Sequence, residues 1–204
     1  MYGDIHMNSL SFKQRVCNVI INCANDFKST FLDYEYLIYS DAFAVQPFYI
    51  ISAKAGNYKH LTGVNSAIAP YDFFEMCLNG TLIENDFDFI KPNESEVFVK
   101  GVVRNKIIAL PSISNLFFEA LIAEENFVNG KVNCTLATSD NKITVGFENR
   151  INARIKTLLR GNEIKSPKAV DVTLVLRRNR GLKKFDTIIQ GACDNLLDLV
   201  NELL

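Results

Sequence analysis

Val132-Asn133-Cys134-Thr135-Leu136-Ala137-Thr138-Ser139-Asp140-Asn141-Lys142-Ile143-Thr144-Val145-Gly146-Phe147 decides the fold class. Val132, Cys134, Leu136 and Thr138 alternate with their neighbours, and so do Ile143, Val145 and Phe147. A period of two sets one side of an extended chain against a core. The polar run Ser139–Lys142 separates the two halves, which predicts an antiparallel hairpin.

Working outward, Val170, Val172, Leu174 and Leu176 read as one face of a later strand. A turn at Asn179–Gly181 leads from it to a partner near Phe185–Ile189. Upstream, Tyr34–Tyr39 and Pro47–Ala53 are dense in Tyr, Phe and Ile and read as strands joined by Asp41–Gln46. Tyr58–Val64 and Glu96–Val103 read as further strands. Val16, Val19, Ile20, Cys23, Phe27 and Phe31 recur at helical spacing, predicting a helix over roughly 9–32 with Ser9 or Ser11 as its cap. Pro70 opens a helix over Tyr71–Leu78 that Asn79-Gly80 closes. Ile113, Leu116, Phe117, Ala120 and Leu121 predict another helix, and Cys193, Leu196, Leu197, Val200 and Leu203 a C-terminal one. Helices around a hairpin-connected middle, without strand–helix–strand alternation, predict an α+β fold. Its sheet is antiparallel, with an N-terminal helix and further helices packed on it.

The length, 204 residues, favours one domain, taken as 8–204. Residues 1–7 are set aside as a tag or disordered leader, with His6-Met7 as a cloning scar. Apolar residues form 48% of the chain, enough for a substantial core. No run of about 18 apolar residues suggests a membrane span, and the N-terminus has no signal-peptide pattern. These features predict a cytoplasmic protein, in a bacterial host cell if the resemblance below holds. Five cysteines without a C-x-x-C pair, beside two histidines, read as reduced core residues rather than a metal site. No metal and no cofactor are expected.

Charge is unevenly spread. Residues 150–184 hold eleven Lys/Arg against two acids, a net of +9, within a chain of net charge −1. Such a block suits an anionic partner or a solvated loop. Nucleotide-binding glycine loops, nucleophile elbows and zinc-protease motifs are absent. Candidates for chemistry therefore come from residue type. On a strand, His60 and Thr62 share a face, and imidazole exchanges protons near neutral pH. Lys59 stands beside them but on the opposite face. Thr138 and Ser139 sit at a hairpin end, where self-bonding turn hydroxyls are the plainer reading. Arg154, Lys156, Thr157 and Arg160 combine cations and a hydroxyl with apolar anchors, and Arg177 and Arg178 begin a basic hairpin tip. The acid pairs Glu124-Glu125 and Glu94/Glu96 read as solvated.

Taken in order, YLIYSDAF (36–43), PFYIISAKAGNYKHLTGV (47–64), FFEMCLNGTL (73–82), LATSDNKITVGF (136–147), IKTLLRGN (155–162) and VDVTLVLRRNRGLKKFDTII (170–189) give the chain a likeness to a known group. It resembles the phage and mobile-element barnase–EndoU–colicin–RelE-like nucleases, in the grouping numbered four, over about residues 12–190. The resemblance implies a helical N-terminal part on a small antiparallel sheet. It also implies metal-independent RNA cleavage, in which the ribose 2′-hydroxyl attacks its own phosphate. His60 and Thr62 match that family's histidine–threonine segment, Thr138 and Ser139 its hydroxyl-bearing hairpin, and Lys156 and Thr157 its late lysine–threonine segment. In such a site His60 is the general base or acid, and Lys156, Thr157 and Ser139 stabilise the phosphorane. Lys59, Thr138, Arg154, Arg160, Arg177 and Arg178 would hold phosphate. The second proton carrier stays open among Tyr49, Tyr58 and a lysine.

Three functions compete. One is a ribonuclease-like protein acting on RNA phosphodiesters. Another is a non-catalytic nucleotide binder that sequesters a host immune signal, as an anti-defence protein would. The third is an interaction module with no such pocket. The partner is then RNA or a small nucleotide, and self-association is left open.

Overall fold

The structure, a computed structural model, describes residues 10–148 and 153–192. An N-terminal helical segment runs as α1 (Phe12–Asn22) and α2 (Ala24–Phe27), then a π-helical turn over Lys28–Leu32. Ser11 caps it: its hydroxyl accepts from Gln14 N–H at 3.0 Å, and the Gln14 side chain accepts from Ser11 N–H at 2.8 Å. Then come β1 (Tyr34–Tyr39), β2 (Phe48–Ser52), α3 (Asn57–Thr62), α4 (Pro70–Leu78) and α5 (Glu96–Ala109). A 3-10 stretch over Leu110–Phe118 leads to β3 (Ile122–Glu125). The remaining strands are β4 (Val128–Asn129), β5 (Val132–Asn133), β6 (Leu136–Ser139), β7 (Ile143–Glu148), β8 (Ala153–Arg160), β9 (Val170–Asp171), β10 (Leu174–Asn179) and β11 (Thr187–Gln190).

Nine strands form one mixed sheet in the order β11-β10-β1-β2-β8-β7-β6-β3-β9, and β4–β5 form a separate small hairpin. The α+β class, the N-terminal helix and the β6–β7 hairpin agree with the sequence reading. One pair departs from the antiparallel expectation: β2 and β8 run parallel, with Ile51 opposite Ala153 and Ser52 opposite Arg154. The segment Arg154–Asn162, read only as a basic stretch, holds most of a central strand.

The predicted strand over Val170–Leu176 is two strands. β9 pairs with β3 and β10 with β1, at opposite flanks of the order. Only Val172 and Thr173 separate them. Val172 N–H donates to Leu121 O at 2.9 Å and Thr173 N–H to Tyr39 O at 3.0 Å, so two residues bridge both flanks. Two residues span at most about 7 Å, so the sheet must curl back on itself.

Two further strand expectations are overturned. Tyr58–Val64 is mostly the helix α3, whose buried positions Tyr58, Leu61 and Thr62 follow helical spacing and which Gly63 ends at φ 75°. Glu96–Val103 is the first half of α5. Its Val and Phe content favours strand, but Ser95 caps the helix by accepting from Phe98 N–H, Glu96 pairs with Lys100 at 2.7 Å, and Val99 and Val103 form its buried stripe. Packing against the sheet overrides intrinsic β preference here. The helix expected around Ile113–Leu121 ends at Phe118, and its tail turns into β3. The expected C-terminal helix and Cys193 lie outside the described residues.

The main core lies between the helices and one sheet face. Phe27 packs its ring 5.0 Å from Tyr58 and 5.7 Å from both Phe31 and Phe74, and Phe117 stacks 3.9 Å from Tyr36. A second cluster, Leu37, Ile50, Leu174, Leu176 and Phe185, covers the opposite face of β1, β2 and β10. A third, Phe127, Cys134, Ala137 and Ile164, covers the opposite face near β6. Strands buried on both faces explain why β1 and β2 read as near-continuous apolar runs. Cys17, Cys23, Cys77 and Cys134 are buried free thiols; burial pushes Cys23 and Cys134 to about 11 and Cys77 to about 12. No helix among the described residues is long and apolar enough to cross a membrane.

Candidate functional site

The parallel pair sets the site. β2 matches β8 only as far as Arg154, so beyond it no strand among the described residues pairs β8 on that side. Along this free edge lies a cleft of about 330 Å³, within the size range of small-ligand sites. α5 supplies Val102, Asn105 and Lys106; β8 supplies Leu158, Leu159 and Arg160; Asn129 and Glu163 close the far wall. Asn129 Nδ2 donates to Glu163 Oε2 at 2.9 Å, which ties the small hairpin to the loop after β8.

Lys106 Nζ reaches the open edge and donates to Leu158 O at 3.4 Å. Its side chain keeps some solvent contact, but crowding around the amine desolvates the charged form, and with Lys91 nearby its pKa falls to about 8. Among the described residues no carboxylate forms an ion pair with it. Gly63 presses on the same amine stem: a methyl group there would lie 2.6 Å from Lys106 Cδ. His60 is exposed on α3, three residues before Gly63. Gly63→Ala is expected to destabilise the chain by about 1–3 kcal/mol, because its φ of 75° strains an L residue and the new methyl displaces Lys106. A denaturant melt checks this; a midpoint equal to the parent's contradicts it.

The other candidates do not meet here. Thr62 is fully buried, donates to Lys59 O at 2.7 Å and accepts from Val64 N–H, which makes it a helix-end clamp. It shares no strand face with His60, because this stretch is helical. Lys59 Nζ donates to Ser66 O and Ile68 O, both at 2.6 Å, and so braces the loop before α4. Ser139 donates to Ile143 O at 2.8 Å and accepts from Asn141 N–H. Thr138 is buried on the strand between Ala123 and Val145, with no hydrogen-bond partner for its hydroxyl among the described residues.

Lys156 is the extra residue of a β-bulge, where pairing passes from Gly146↔Thr157 to Phe147↔Ile155. Its amine donates to Asn133 O at 2.8 Å and lies 3.6 Å from Glu148. Thr157 packs its methyl over Gly146, where an added Cβ would come within 2.9 Å. In register, Ser139 and Leu159 flank Thr144, so Ser139 and Lys156 are about 14 Å apart on ideal strand spacings. One phosphate does not span that. Arg154 stands between Ser52 and Glu148 in the sheet.

Three arginines of the basic block tie the fold together. Arg178 pairs with Glu35 at 2.7 Å and lies 4.3 Å from the Phe185 ring centroid. Arg177 stacks 4.3 Å from Tyr34 and hydrogen-bonds Tyr36, whose hydroxyl burial pushes up to about 12. Arg180 donates to Phe31 O and Ala53 O. Of the predicted phosphate holders, Arg160 is the one in the cleft.

The tyrosines weighed as proton carriers are core residues. Tyr58 is fully buried, with its hydroxyl on Ile20 O, and burial raises its pKa well above the ordinary value. Tyr49 is buried too and donates to Glu125 Oε1 at 2.5 Å. Glu125, read as solvated, also accepts from the backbone N–H groups of Ala44, Val45 and Gln46. A larger cleft of about 570 Å³ lies beside it, but Glu124 and Glu125 there face one lysine, Lys168, which suits an anion poorly.

Lys106, Asn105, Asn129 and Glu163 escape the sequence reading. Lys106 follows Val99 and Val103 at i+7 and i+3, so it sits on the buried stripe of α5. A lysine on an apolar stripe is a visible signal once the segment is read as helix. Among the described residues no three His, Cys, Asp or Glu side chains gather as a metal would need.

A curled sheet with helices on one face and a cation-lined cleft at a strand edge is a nuclease-like α+β architecture. The sequence signature of the family described as phage-Barnase-EndoU-ColicinE5/D-RelE like nuclease 4 matches residues 19–190, and the chain belongs to that family. No curated protein and no solved structure matches it significantly.

Proposed function

We propose that this protein acts on RNA phosphodiesters at the free edge of β8, as a metal-independent ribonuclease. The observation that carries the reading is the joint placement of Arg160 and Lys106 in one cleft with the amides of Asn105 and Asn129. A guanidinium grips phosphate oxygens in pairs, and the amides supply further donors and acceptors. His60 is exposed on α3, the helix that ends at Gly63 beside Lys106. Family membership supports the nuclease class.

The test is incubation of the purified protein with end-labelled single-stranded RNA in excess chelator. The expected products carry a 2′,3′-cyclic phosphate and a 5′-hydroxyl. Arg160→Gln is expected to weaken RNA binding about tenfold to a hundredfold, the value of one charge-assisted phosphate contact. Intact RNA together with unchanged binding in the variant refutes the reading.

A second reading has its own support. Thr62 and Ser139, which the resemblance assigns to chemistry, are hydrogen-bonded within the fold, which favours a pocket that holds a nucleotide without cleaving it. In that reading the protein captures a host signalling nucleotide, and calorimetry with cyclic nucleotides finds tight binding while the ligand emerges intact.

A further inference from the structure

We infer that Lys106 is the proton acceptor of the cleft, the amine that takes the 2′-hydroxyl proton of an RNA strand whose phosphate Arg160 holds. The inference rests on the ribonuclease reading above and deepens it by naming the base. Three observations point to this residue. Its amine lines the cleft that Arg160 lines. It is aimed at Leu158 O on the unpaired edge of β8, so one N–H is oriented and the lone pair of the neutral amine is free for a proton. It also belongs to the buried stripe of α5 yet has no carboxylate partner among the described residues, so nothing there stabilises its charged form.

The groups around it agree. Lys91 contributes positive charge that lowers the amine's proton affinity. On α3, Lys59 is held by two carbonyls and His60 is exposed. Arg160 is cationic, and Glu163 is engaged by Asn129. With a pKa of about 8, roughly a tenth of Lys106 is neutral at pH 7, enough for an effective base.

The step balances without a co-reactant. The 2′-O–H proton passes to Lys106 Nζ, the 2′-oxygen–phosphorus bond forms, and the phosphorus–5′-oxygen bond breaks. The leaving 5′-oxygen takes a proton from a solvent water, and the hydroxide so formed takes up the proton that Lys106 received. The products are a 2′,3′-cyclic phosphate and a 5′-hydroxyl, and Lys106 returns to its neutral form.

The experiment compares the full chain with Lys106→Arg and Lys106→Met across pH 6–9, reading kcat, KM and the melting temperature. In the parent, kcat is expected to rise about tenfold per pH unit and level off near pH 8. Both variants are expected to lose about a hundredfold or more in kcat with KM little changed, the usual share of a general base. Lys106→Met is expected to melt no lower than the parent at pH 7, since it removes a desolvated charge, and so separates lost chemistry from lost folding. A Lys106→Arg variant within about threefold of the parent, or a parent rate that falls above pH 8, overturns Lys106 as base and leaves the ribonuclease reading standing. A parent that leaves RNA intact overturns that reading and this inference with it.

Discussion

Phe27→Ala is expected to destabilise the chain by about 3–5 kcal/mol, the cost of emptying a fully buried aromatic site. Phe27 stands where α2 passes into the π-helical turn, with Phe31, Tyr58 and Phe74 around it at 5.0–5.7 Å. No single neighbour fills the space, because each of those rings is held by another contact. Tyr58 donates to Ile20 O and belongs to α3, so the cavity loosens the helix that carries His60 and leads to Gly63. For a chain of this size the melting temperature should fall by about 10 °C or more. Phe118→Ala is the control: that ring is 56% exposed, and its loss should stay within about 0.5 kcal/mol. Equal melting curves for the two variants would show that Phe27 does not organise this core.

Glu125→Ala is expected to cost about 2–4 kcal/mol, although the residue is only half-buried and lies on a short strand. Its carboxylate accepts from three consecutive backbone N–H groups, Ala44, Val45 and Gln46, and from Tyr49 O–H. Hydrogen bonds to a charged group stabilise by about 1.5–3 kcal/mol each, but four that share one carboxylate do not add. Removing the acceptor leaves the buried Tyr49 hydroxyl without it and releases the loop between β1 and β2 from β3. Glu125→Gln should recover part of the loss, because its amide oxygen still accepts while its NH2 faces other donors. Glu124→Ala, one residue away, should be nearly neutral. Amide exchange at residues 44–46 reports the effect directly; unchanged protection in Glu125→Ala would refute this account.

Much of the fold is legible in the chain because its signals are local. The alternation in Leu136–Phe147, the aromatic runs at Tyr34–Tyr39 and Phe48–Ser52, the cap at Ser11 and the proline at α4 each act within a few residues. The errors have a common cause. Glu96–Val103 carries strand-forming side chains, and only contact with β8 shows that helical spacing is the period that buries them. Tyr58–Val64 is similar: its apolar residues fit either period, and Gly63 as a left-handed helix end decides for the helix. The candidate site was legible only in part: residue type singles out Arg160, whereas Lys106 lies three residues past the misread strand Glu96–Val103 and is passed over.

By itself the sequence determined the α+β class, the hairpins, the capped N-terminal helix and the family to which the chain belongs. The tertiary structure alone decided that Val172 and Thr173 bridge two flanks of one sheet, that β2 leaves β8 half unpaired, and that Lys106 shares the resulting cleft with Arg160. Periodicity and capping depend on neighbours along the chain. A free strand edge and a desolvated amine depend on groups brought together from distant positions, and no local pattern encodes that meeting.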